Sequence, residues 1–413
     1  DDVLPYFKKA QHFADLDTPH PYKGHDGPLS VTDGRLTNPL HTRFLMAAEQ
    51  AGYRRRDDLN DNEQEGFGTL PMTVSNGIRA STALSYLFPA RHRENLNILR
   101  NALTTKILFD GSQATGAAVV RRGTTTKLYA DQVFLCAGAI NSPQLLMLSG
   151  IGPAEHLHEH GITVRQDLPG VGQNLMDHLE IYVQQACTQP LSLHRNLGLF
   201  GRAKIGLEWV LTRRGLGATN HFETGGFIRS SDAVPYPDIQ FHFLPAAMQY
   251  DGSARSAEHG FQAHVGPMLS VSRGQISLVN TDPQQPPLIR FNYMSEQRDW
   301  VVFRSAIRAA RDIFAQPAFD DVRGGEIRPG PDAQTDSELD HFVREHAESA
   351  YHPCGTCRMG IDNESVVDSM GKVHGVSNLH IVDASIFPHI TNGNLNAPVI
   401  MAAEKIADDW LLK

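Results

Sequence analysis

The chain has 413 residues, and its 37 lysines and arginines against 46 aspartates and glutamates give a formal net charge of −9. Its composition, 41% apolar and 20% charged, is typical of a globular protein of two or three domains and argues against a disordered chain. The negative charge argues against nucleic-acid binding, and no run of lysine and arginine reaches five residues. No apolar run reaches the roughly 18 residues that a membrane-spanning helix needs.

Cysteine content and the first residues bear on location. Four cysteines are too few for a secreted disulfide framework, which favours a reducing compartment and predicts a cytoplasmic protein. The first ten residues lack the basic and apolar regions of a signal peptide, and the sequence does not begin with Met. We therefore expect an N-terminally truncated part of a longer protein.

The first third of the chain predicts one helix and several short strands. Apolar spacing favours an amphipathic helix over residues 44–51 that ends at Gly52, followed by a polar, glycine-rich stretch to about residue 89. Strands are predicted over residues 96–99, 105–109, 116–121 and 126–129. Turn signals such as Asp110-Gly111 and Arg122-Gly123 separate them.

The strongest local pattern is a strand-to-helix junction. An apolar run over residues 132–137 leads into small residues at Gly138 and then into a helix-like run over residues 144–150. Asn141 or Ser142 would cap that helix, and Pro143 would lie in its first turn. The free N–H groups of such a junction can face an anion, although an ordinary connection without a ligand fits the residues equally well.

The pattern of apolar and polar residues changes between about residues 180 and 345. Alternating residues predict strands over 238–243 and 275–279, and a helical pattern covers 300–314. We interpret this part as a second domain inserted into the first.

Cys354 and Cys357 form a Cys-x-x-Cys pair close to His352. A zinc site would need four ligands, and no second pair at ligand spacing supports one, so we expect no metal. Thiol redox chemistry is weakly supported, and packing of both cysteines in the core is the favoured alternative. His352 is instead a candidate acid–base group, because imidazole exchanges a proton near neutral pH.

The C-terminal region supplies a family resemblance. An apolar strand over residues 379–385 ends in an acidic turn, and Gly393-Asn394-Leu395-Asn396 precedes a helical pattern over 399–412. Together with residues 4–7, 76–81, 138–152, 170–178 and 352–360, these segments resemble the glucose-methanol-choline (GMC) oxidoreductases, which use FAD to oxidise alcohols. Residues 217–230 and 260–268 resemble the choline-oxidising members.

The resemblance implies a mixed α/β (α+β) fold: a GMC-type FAD-binding domain, N-terminally incomplete, with an inserted antiparallel-sheet substrate domain. The implied divisions are a lead-in segment at 1–60, FAD-binding parts at 61–180 and 346–413, and the substrate domain at 181–345. One departure is clear. The Gly-x-Gly-x-x-Gly turn that holds the FAD pyrophosphate does not occur, and Gly170-Val171-Gly172 lacks its spacing.

The same resemblance implies the site residues. His352 would accept the hydroxyl proton and Asn394 would donate to the substrate oxygen, with Asn396 as a fallback for that role. Aromatic faces and a carboxylate suit a quaternary ammonium. The implied cofactor contacts are Ala137, Gly138, Asp383, Ala384, Asn396 and Pro398, and the implied substrate contacts are Tyr351, Phe222, Glu223 and His242.

The implied reaction is oxidation of choline to betaine aldehyde, and onward to glycine betaine, with a hydride passing to FAD. The alternatives are another primary alcohol, an oxidase that passes electrons to dioxygen, and a non-catalytic fragment that binds no FAD. Family analogy adds peripheral attachment to the inner face of a membrane. The residues identify neither the electron acceptor nor the oligomeric state.

Overall fold

Two large hydrophobic clusters organise the fold. The computed structural model describes residues 2–15, 18–249 and 259–412. The α-helices of this part are α1 (Leu4–Ala10), α2 (Pro39–Gln50), α3 (Phe88–Ala90), α4 (Gly138–Leu148), α5 (Ala154–Glu159), α6 (Leu199–Thr212), α7 (Gln297–Ala315), α8 (Asp336–His346) and α9 (Asn396–Leu411). Its strands are β1 (Gln11–Phe13), β2 (Leu29–Val31), β3 (Gly66–Thr69), β4 (Val74–Ser75), β5 (Ile78–Arg79), β6 (Leu103–Asp110), β7 (Gln113–Arg121), β8 (Thr124–Tyr129), β9 (Val133–Leu135), β10 (Ile151–Gly152), β11 (Gln166–Asp167), β12 (Leu179–Cys187), β13 (Thr224–Ile228), β14 (Ile239–Leu244), β15 (Gly260–Pro267), β16 (Gln275–Ser277), β17 (Leu288–Arg290), β18 (Arg323–Arg328), β19 (Glu348–Ser349) and β20 (Leu379–Ile381).

The first cluster lies on one face of an antiparallel sheet in the order β18-β12-β15-β14-β13-β3, with β19 paired to β12. Phe241 and Phe243 of β14 and Phe261 of β15 point from this face toward helices α2 and α7. Because successive side chains of a strand alternate between faces, the polar residues between them point the other way. The sheet thus has an apolar face for the core and a polar face for a site.

The second cluster surrounds the C-terminal motifs. The parallel pair β9 and β20 packs with α4, and the three-stranded sheet β6-β7-β8 lies beside them. Strand β20 is followed by a 3₁₀ turn over Ala384–Ile386, and α9 follows a short connection. This arrangement brings the end of β9, the turn after β20 and the region before α9 close together.

Most of the predicted elements are confirmed, and their ends differ. Residues 105–109, 116–121 and 126–129 lie in β6, β7 and β8, and residues 300–314 lie in α7. The helix predicted from residue 44 begins earlier, at Pro39, because the Asn38 side chain accepts a hydrogen bond from the Leu40 N–H and caps it. The strand predicted over 96–99 is wrong, since these residues form no regular element and are mostly exposed.

The predicted cap of α4 is also wrong. The helix begins at Gly138, with Ala137 as its N-cap, so Pro143 lies inside the helix and not in its first turn. Ser142 is fully buried, and its hydroxyl donates to the Asp383 carboxylate over 2.6 Å. A long-range hydrogen bond therefore takes the group that the sequence assigned to a local cap.

The mixed α/β fold and its antiparallel sheet are confirmed. The domain boundaries stay a prediction. Two elements from outside residues 181–345 pack with the large sheet: β3 pairs with β13, and α2 contributes to the same hydrophobic cluster.

Candidate active site

A cavity of about 500 Å³ lies between the polar face of the large sheet and the C-terminal motifs. Strands β12, β14 and β15 each turn polar side chains toward it, and the segment before His352 closes one side. The lining residues are Leu70, Pro71, Glu180, Tyr182, Asn220, Phe222, His242, Leu244, Met248, Gln249, Gln262, His264, Ser349, Ala350, Tyr351, His352 and Asn394.

His352 and Asn394 meet at one end of this cavity. The His352 Nε2 atom lies 3.2 Å from the Asn394 Nδ2 atom. The Asp177 carboxylate accepts from the His352 backbone N–H over 2.8 Å and from the Tyr293 hydroxyl over 2.6 Å, which fixes the segment that carries the imidazole. The structure thus brings together the two residues that the resemblance pairs across 42 positions of sequence.

His178 determines which nitrogen of His352 carries the proton. The His178 Nε2 atom lies 3.0 Å from the carbonyl oxygens of Met268 and Thr391, so it must be the protonated nitrogen that donates. The His178 Nδ1 atom is then an acceptor, and the His352 Nδ1 atom donates to it over 2.9 Å. The His352 Nε2 atom is consequently left unprotonated, with its lone pair toward the Asn394 amide and the cavity.

Both imidazoles are neutral at physiological pH. Burial, together with the neighbouring His352, lowers the pKa of His178 from 6.5 to about 3. Burial also lowers the pKa of His352, while the carboxylates of Asp177 and Glu180 raise it. A neutral imidazole with a free Nε2 lone pair is the form that can act as a general base.

The amide of Asn394 is oriented by Gln240. The Gln240 Nε2 atom donates to the Asn394 Oδ1 atom over 3.0 Å, so the Asn394 NH₂ group faces His352. An amide NH₂ has two hydrogens, and it can donate to both an imidazole lone pair and a substrate oxygen.

Glu180 provides a carboxylate in the same cavity. The Gln262 Oε1 atom accepts from Gln184 Nε2 over 2.7 Å, so Gln262 donates through its own Nε2 to His264 Nε2 over 2.6 Å. The His264 Nδ1–H then donates to the Glu180 carboxylate over 3.0 Å. Burial raises the pKa of Glu180, but the proximity of His264 and this hydrogen bond lower it by more, so the carboxylate is ionised near neutral pH.

Aromatic side chains line the same cavity as the Glu180 carboxylate. Tyr182 follows Glu180 by two positions on β12 and therefore shares its face of the sheet. The centroid of the Tyr182 ring lies 4.0 Å from that of His264, and Phe222 lies edge-on to His264 at 5.0 Å. Tyr351 lines the cavity and is 69% exposed. An ionised carboxylate among aromatic faces suits an organic cation without N–H groups.

One of the predicted substrate contacts lies elsewhere. Phe222, His242 and Tyr351 line the cavity, but Glu223 does not. Its carboxylate is fully buried and accepts from the Thr37 backbone N–H at 2.8 Å and from the Thr219 hydroxyl at 2.8 Å. Glu223 is therefore not placed to contact a substrate in this cavity, and Glu180 is the carboxylate that lines it.

The predicted cofactor contacts form one connected surface. The Asp383 carboxylate accepts from the Gly138 N–H over 2.9 Å, from Ser142 and from the Ser385 N–H over 2.8 Å. It fastens the start of α4 to the turn after β20, and that turn is joined to the His352 segment by the Gly355 N–H, which donates to the Ala384 carbonyl. Asn396 and Pro398 lie in the first turn of α9, directly after Asn394.

This surface has the properties that a flavin cofactor requires. Ala137 and Asn396 are exposed, and a Cβ atom added at Gly138, whose φ is +80°, would meet nothing within 4 Å. Small side chains and accessible backbone next to His352 leave room for a planar ring. The residues present therefore fit the flavin end of FAD.

Cys354 and Cys357 belong to the second hydrophobic cluster, as the packing interpretation predicts. Burial raises the pKa of the Cys354 thiol to about 12, so the thiol stays protonated. Within residues 2–15, 18–249 and 259–412, no group of three or more histidine, cysteine or carboxylate side chains is placed to hold a metal ion.

Four residues at or next to the cavity were not predicted from the sequence: His178, Glu180, His264 and Gln240. A signal existed for three of them. Polar residues alternate with apolar ones at Glu180 and Tyr182, at Gln240 and His242, and at Gln262 and His264, on strands whose other face is buried. Such alternation marks a sheet whose second face has a polar function.

Comparison with known proteins agrees with the family resemblance of the sequence. The GMC oxidoreductase family profiles match residues 1–180 and 270–403. An oxygen-dependent choline dehydrogenase of Brucella ovis is 52% identical over 413 residues, which cover 99% of this chain and 75% of the relative. The protein of the same description from Yersinia pestis is 55% identical over 412 residues, covering 98% of this chain and 72% of the relative.

Solved structures share the fold. Pyridoxine 4-oxidase from Mesorbium loti superposes with a TM-score of 0.88 at 29% identity, covering 100% of this chain and 77% of that one. A formate oxidase of Aspergillus oryzae, studied for modification of its FAD, superposes with a TM-score of 0.92 at 26% identity, covering 99% of this chain and 77% of that one.

Proposed function

Since the chain belongs to the GMC oxidoreductase family, we propose that its cavity binds choline and oxidises the hydroxyl-bearing carbon, with FAD as the hydride acceptor. A single observation carries the proposal. One cavity holds an unprotonated imidazole nitrogen beside an amide donor, at His352 and Asn394, together with an ionised carboxylate among aromatic rings at Glu180.

The carboxylate end of the cavity binds the cation. A quaternary ammonium cannot donate a hydrogen bond, so its recognition depends on charge and on contact with aromatic faces. Glu180 supplies the charge, while Tyr182, Phe222 and Tyr351 supply the faces. His264 keeps Glu180 ionised and oriented through its Nδ1–H.

The imidazole end activates the alcohol. The substrate hydroxyl donates to the His352 Nε2 atom, in place of the Asn394 contact, and the Asn394 NH₂ group donates to the substrate oxygen. His352 accepts the hydroxyl proton, and its positive charge is favoured by the nearby carboxylates of Asp177 and Glu180. Because an alkoxide releases hydride far more readily than an alcohol, this proton transfer prepares the carbon for oxidation.

Bound FAD would supply the acceptor for the hydride that leaves the alcohol carbon. The residues of this chain that would hold its flavin end are Ala137, Gly138, Ala384, Asn396 and Pro398, while Asp383 keeps the turn that carries them in place. Hydration of the aldehyde product gives a second hydroxyl. The same two groups can therefore serve the onward oxidation to glycine betaine.

The test compares choline with dimethylbutanol, its uncharged carbon isostere, in protein reconstituted with FAD. Anaerobic addition of choline should bleach the flavin absorbance near ~450 nm, and His352→Ala should slow that bleaching by about 100-fold or more. Glu180→Gln should weaken the apparent affinity for choline by about 30-fold or more while leaving that for dimethylbutanol little changed.

Glu348→Gln is the matched control, because this carboxylate accepts from the Tyr182 hydroxyl and does not line the cavity. It should keep most of the preference for choline. Bleaching by choline at the wild-type rate in His352→Ala would remove the imidazole from the mechanism. A protein that binds no FAD would support the alternative of a non-catalytic fragment.

A further inference from the structure

Two buried glutamines lie behind the carboxylate end of the cavity. Gln184 of β12 and Gln262 of β15 are opposite each other in the register of the large sheet, on its polar face. Gln262 lines the cavity, and Gln184 does not. Because buried amides are unfavourable unless their hydrogen bonds are made, the partner of each amide atom shows which way the side chain points.

The backbone of Met248 fixes the direction of both amides. The Met248 carbonyl can only accept, so the Gln184 atom 2.7 Å from it is the donor Nε2. This Nε2 atom also donates to Gln262 over 2.7 Å, and the Met248 N–H donates to the same Gln262 atom over 2.8 Å. Two donors identify that atom as Oε1. Gln262 therefore turns its NH₂ group away from Met248.

The direction of Gln262 determines where His264 carries its proton. The Gln262 Nε2 atom lies 2.6 Å from His264 Nε2, which must then accept through its lone pair. The ring proton is thus on Nδ1, and it is donated to Glu180 over 3.0 Å. Among the lining residues that the structure describes there is no lysine or arginine, so no fixed cation of the cavity wall cancels the charge of Glu180.

We propose that Gln262 is a positioning residue that makes the cavity selective for a cationic alcohol. Its amide donates to His264 Nε2 and so reserves the ring proton for Glu180, whose oriented negative charge then attracts the substrate cation. Gln184 and the Met248 backbone hold the amide in that direction. The inference rests on the proposed function and assigns part of its substrate selection to an uncharged side chain.

The first measurement is nitrogen-15 NMR of the histidine side chains in protein without substrate or FAD. We expect an unprotonated His264 Nε2 atom in the wild type, with His264→Gln assigning the signal by its loss. Gln262→Leu should give a mixture of tautomers. Gln262→Glu keeps the shape of the side chain but places an acceptor opposite His264, so Nε2 should become protonated. A wild-type signal for His264 in Gln262→Glu would overturn the proposal.

The second measurement compares choline with dimethylbutanol in protein reconstituted with FAD. Gln262→Leu should raise KM for choline by about tenfold, because Glu180 loses its oriented donor, while kcat and KM for dimethylbutanol change by less than about threefold. Gln184→Leu should raise KM for choline by only about threefold, since the Met248 N–H still donates to Gln262 Oε1.

Gln185→Leu is the matched control. Gln185 follows Gln184 on β12 and is also buried, but it points to the opposite face of the sheet and donates to the Gly324 carbonyl. It should keep the wild-type KM values and the wild-type His264 tautomer. An equal rise in KM for choline in Gln185→Leu and Gln262→Leu would overturn the proposal.

The two measurements separate this proposal from the proposed function. A wild-type protein that does not prefer choline to dimethylbutanol would refute the proposed function and the selectivity assigned to Gln262. A clear preference for choline, combined with a His264 tautomer that does not respond to Gln262→Glu, would refute only the positioning role of Gln262.

Discussion

Two histidines in contact can have only one arrangement of protons here. The two carbonyl oxygens next to His178 Nε2 can only accept, so this nitrogen carries the proton and His178 Nδ1 does not. His352 Nδ1 must then carry a proton in order to donate to His178 Nδ1. His178 touches no part of the cavity, so it is a positioning residue that selects the tautomer of the base. Its partner lies 174 positions away, and local sequence could not reveal the pairing.

We predict that His178→Ala lowers kcat by about tenfold to 100-fold with little change in KM for choline, because His352 can then place its proton on either nitrogen. Nitrogen-15 NMR of the histidine side chains should show an unprotonated His352 Nε2 atom in the wild type and a mixture of tautomers in the variant. His41→Ala is the control for lost packing, since that imidazole is equally buried and bonds to Thr224. A wild-type tautomer signal in His178→Ala would refute the positioning role.

At the residue scale, matched motifs predicted two residues that the structure brings together in the cavity, and their catalytic roles stay a prediction. His352 and Asn394 carry such motifs, and the structure places them 3.2 Å apart. The carboxylate that lines the cavity is Glu180 and not Glu223, because Glu180 lies on β12 with its side chain on the polar face of the sheet, whereas Glu223 precedes β13 and bonds to Thr37. The direction of a side chain depends on how the strands pair, which a single sequence does not show.

At the scale of elements, long periodic segments such as α7 could be predicted from sequence, whereas elements defined by distant partners could not. Strand β3 is only four residues long and exists because it pairs with β13, more than 150 positions away. Residues 96–99 are apolar enough for a strand but have no partner. The start of α4 was misplaced because Ser142 lies inside the helix, where its hydroxyl donates to the distant Asp383 carboxylate and accepts from the Ala137 N–H.

That bond between α4 and the turn after β20 can be tested. We predict that Ser142→Ala lowers the free energy of unfolding by about 1–3 kcal/mol, since the buried Asp383 carboxylate loses a hydroxyl donor. Urea unfolding monitored by circular dichroism measures the loss. Ser112→Ala, at an exposed turn, should change stability by less than about 0.5 kcal/mol. Equal stability of the two variants would show that the hydrogen bond between Ser142 and Asp383 contributes little to the free energy of unfolding.

At the scale of the whole molecule, the family resemblance correctly implied the mixed α/β fold, but net charge and composition say little about local charge or protonation. The net charge of −9 gives no hint that residues 195–214, around helix α6, carry five basic residues and one acidic residue. Nor does a count of twenty histidines show which of them are held neutral by burial. Which imidazoles are held neutral is decided only when distant segments pack together and bury them.

Two buried histidines make the stability of the protein depend on pH. Burial lowers the pKa of His41 from 6.5 to about 4 and that of His178 from 6.5 to about 3. Below pH 6.5 the unfolded chain binds protons that the folded chain does not, so stability falls as the pH falls. Two such groups lower the free energy of unfolding by about 3 kcal/mol per pH unit between about pH 6 and the folded pKa values.

We therefore predict a lower Tm at about pH 5 than at about pH 7, with an uptake of at least two protons on unfolding at the lower pH. Calorimetry in buffers of different ionisation enthalpy measures that uptake. His41→Gln removes one of the two groups and should reduce the uptake by about one proton. An unchanged uptake in this variant, or a Tm independent of pH over this range, would mean that the buried imidazoles accept protons within the folded protein. In that case His352 would lose the neutral neighbour on which its free Nε2 lone pair depends.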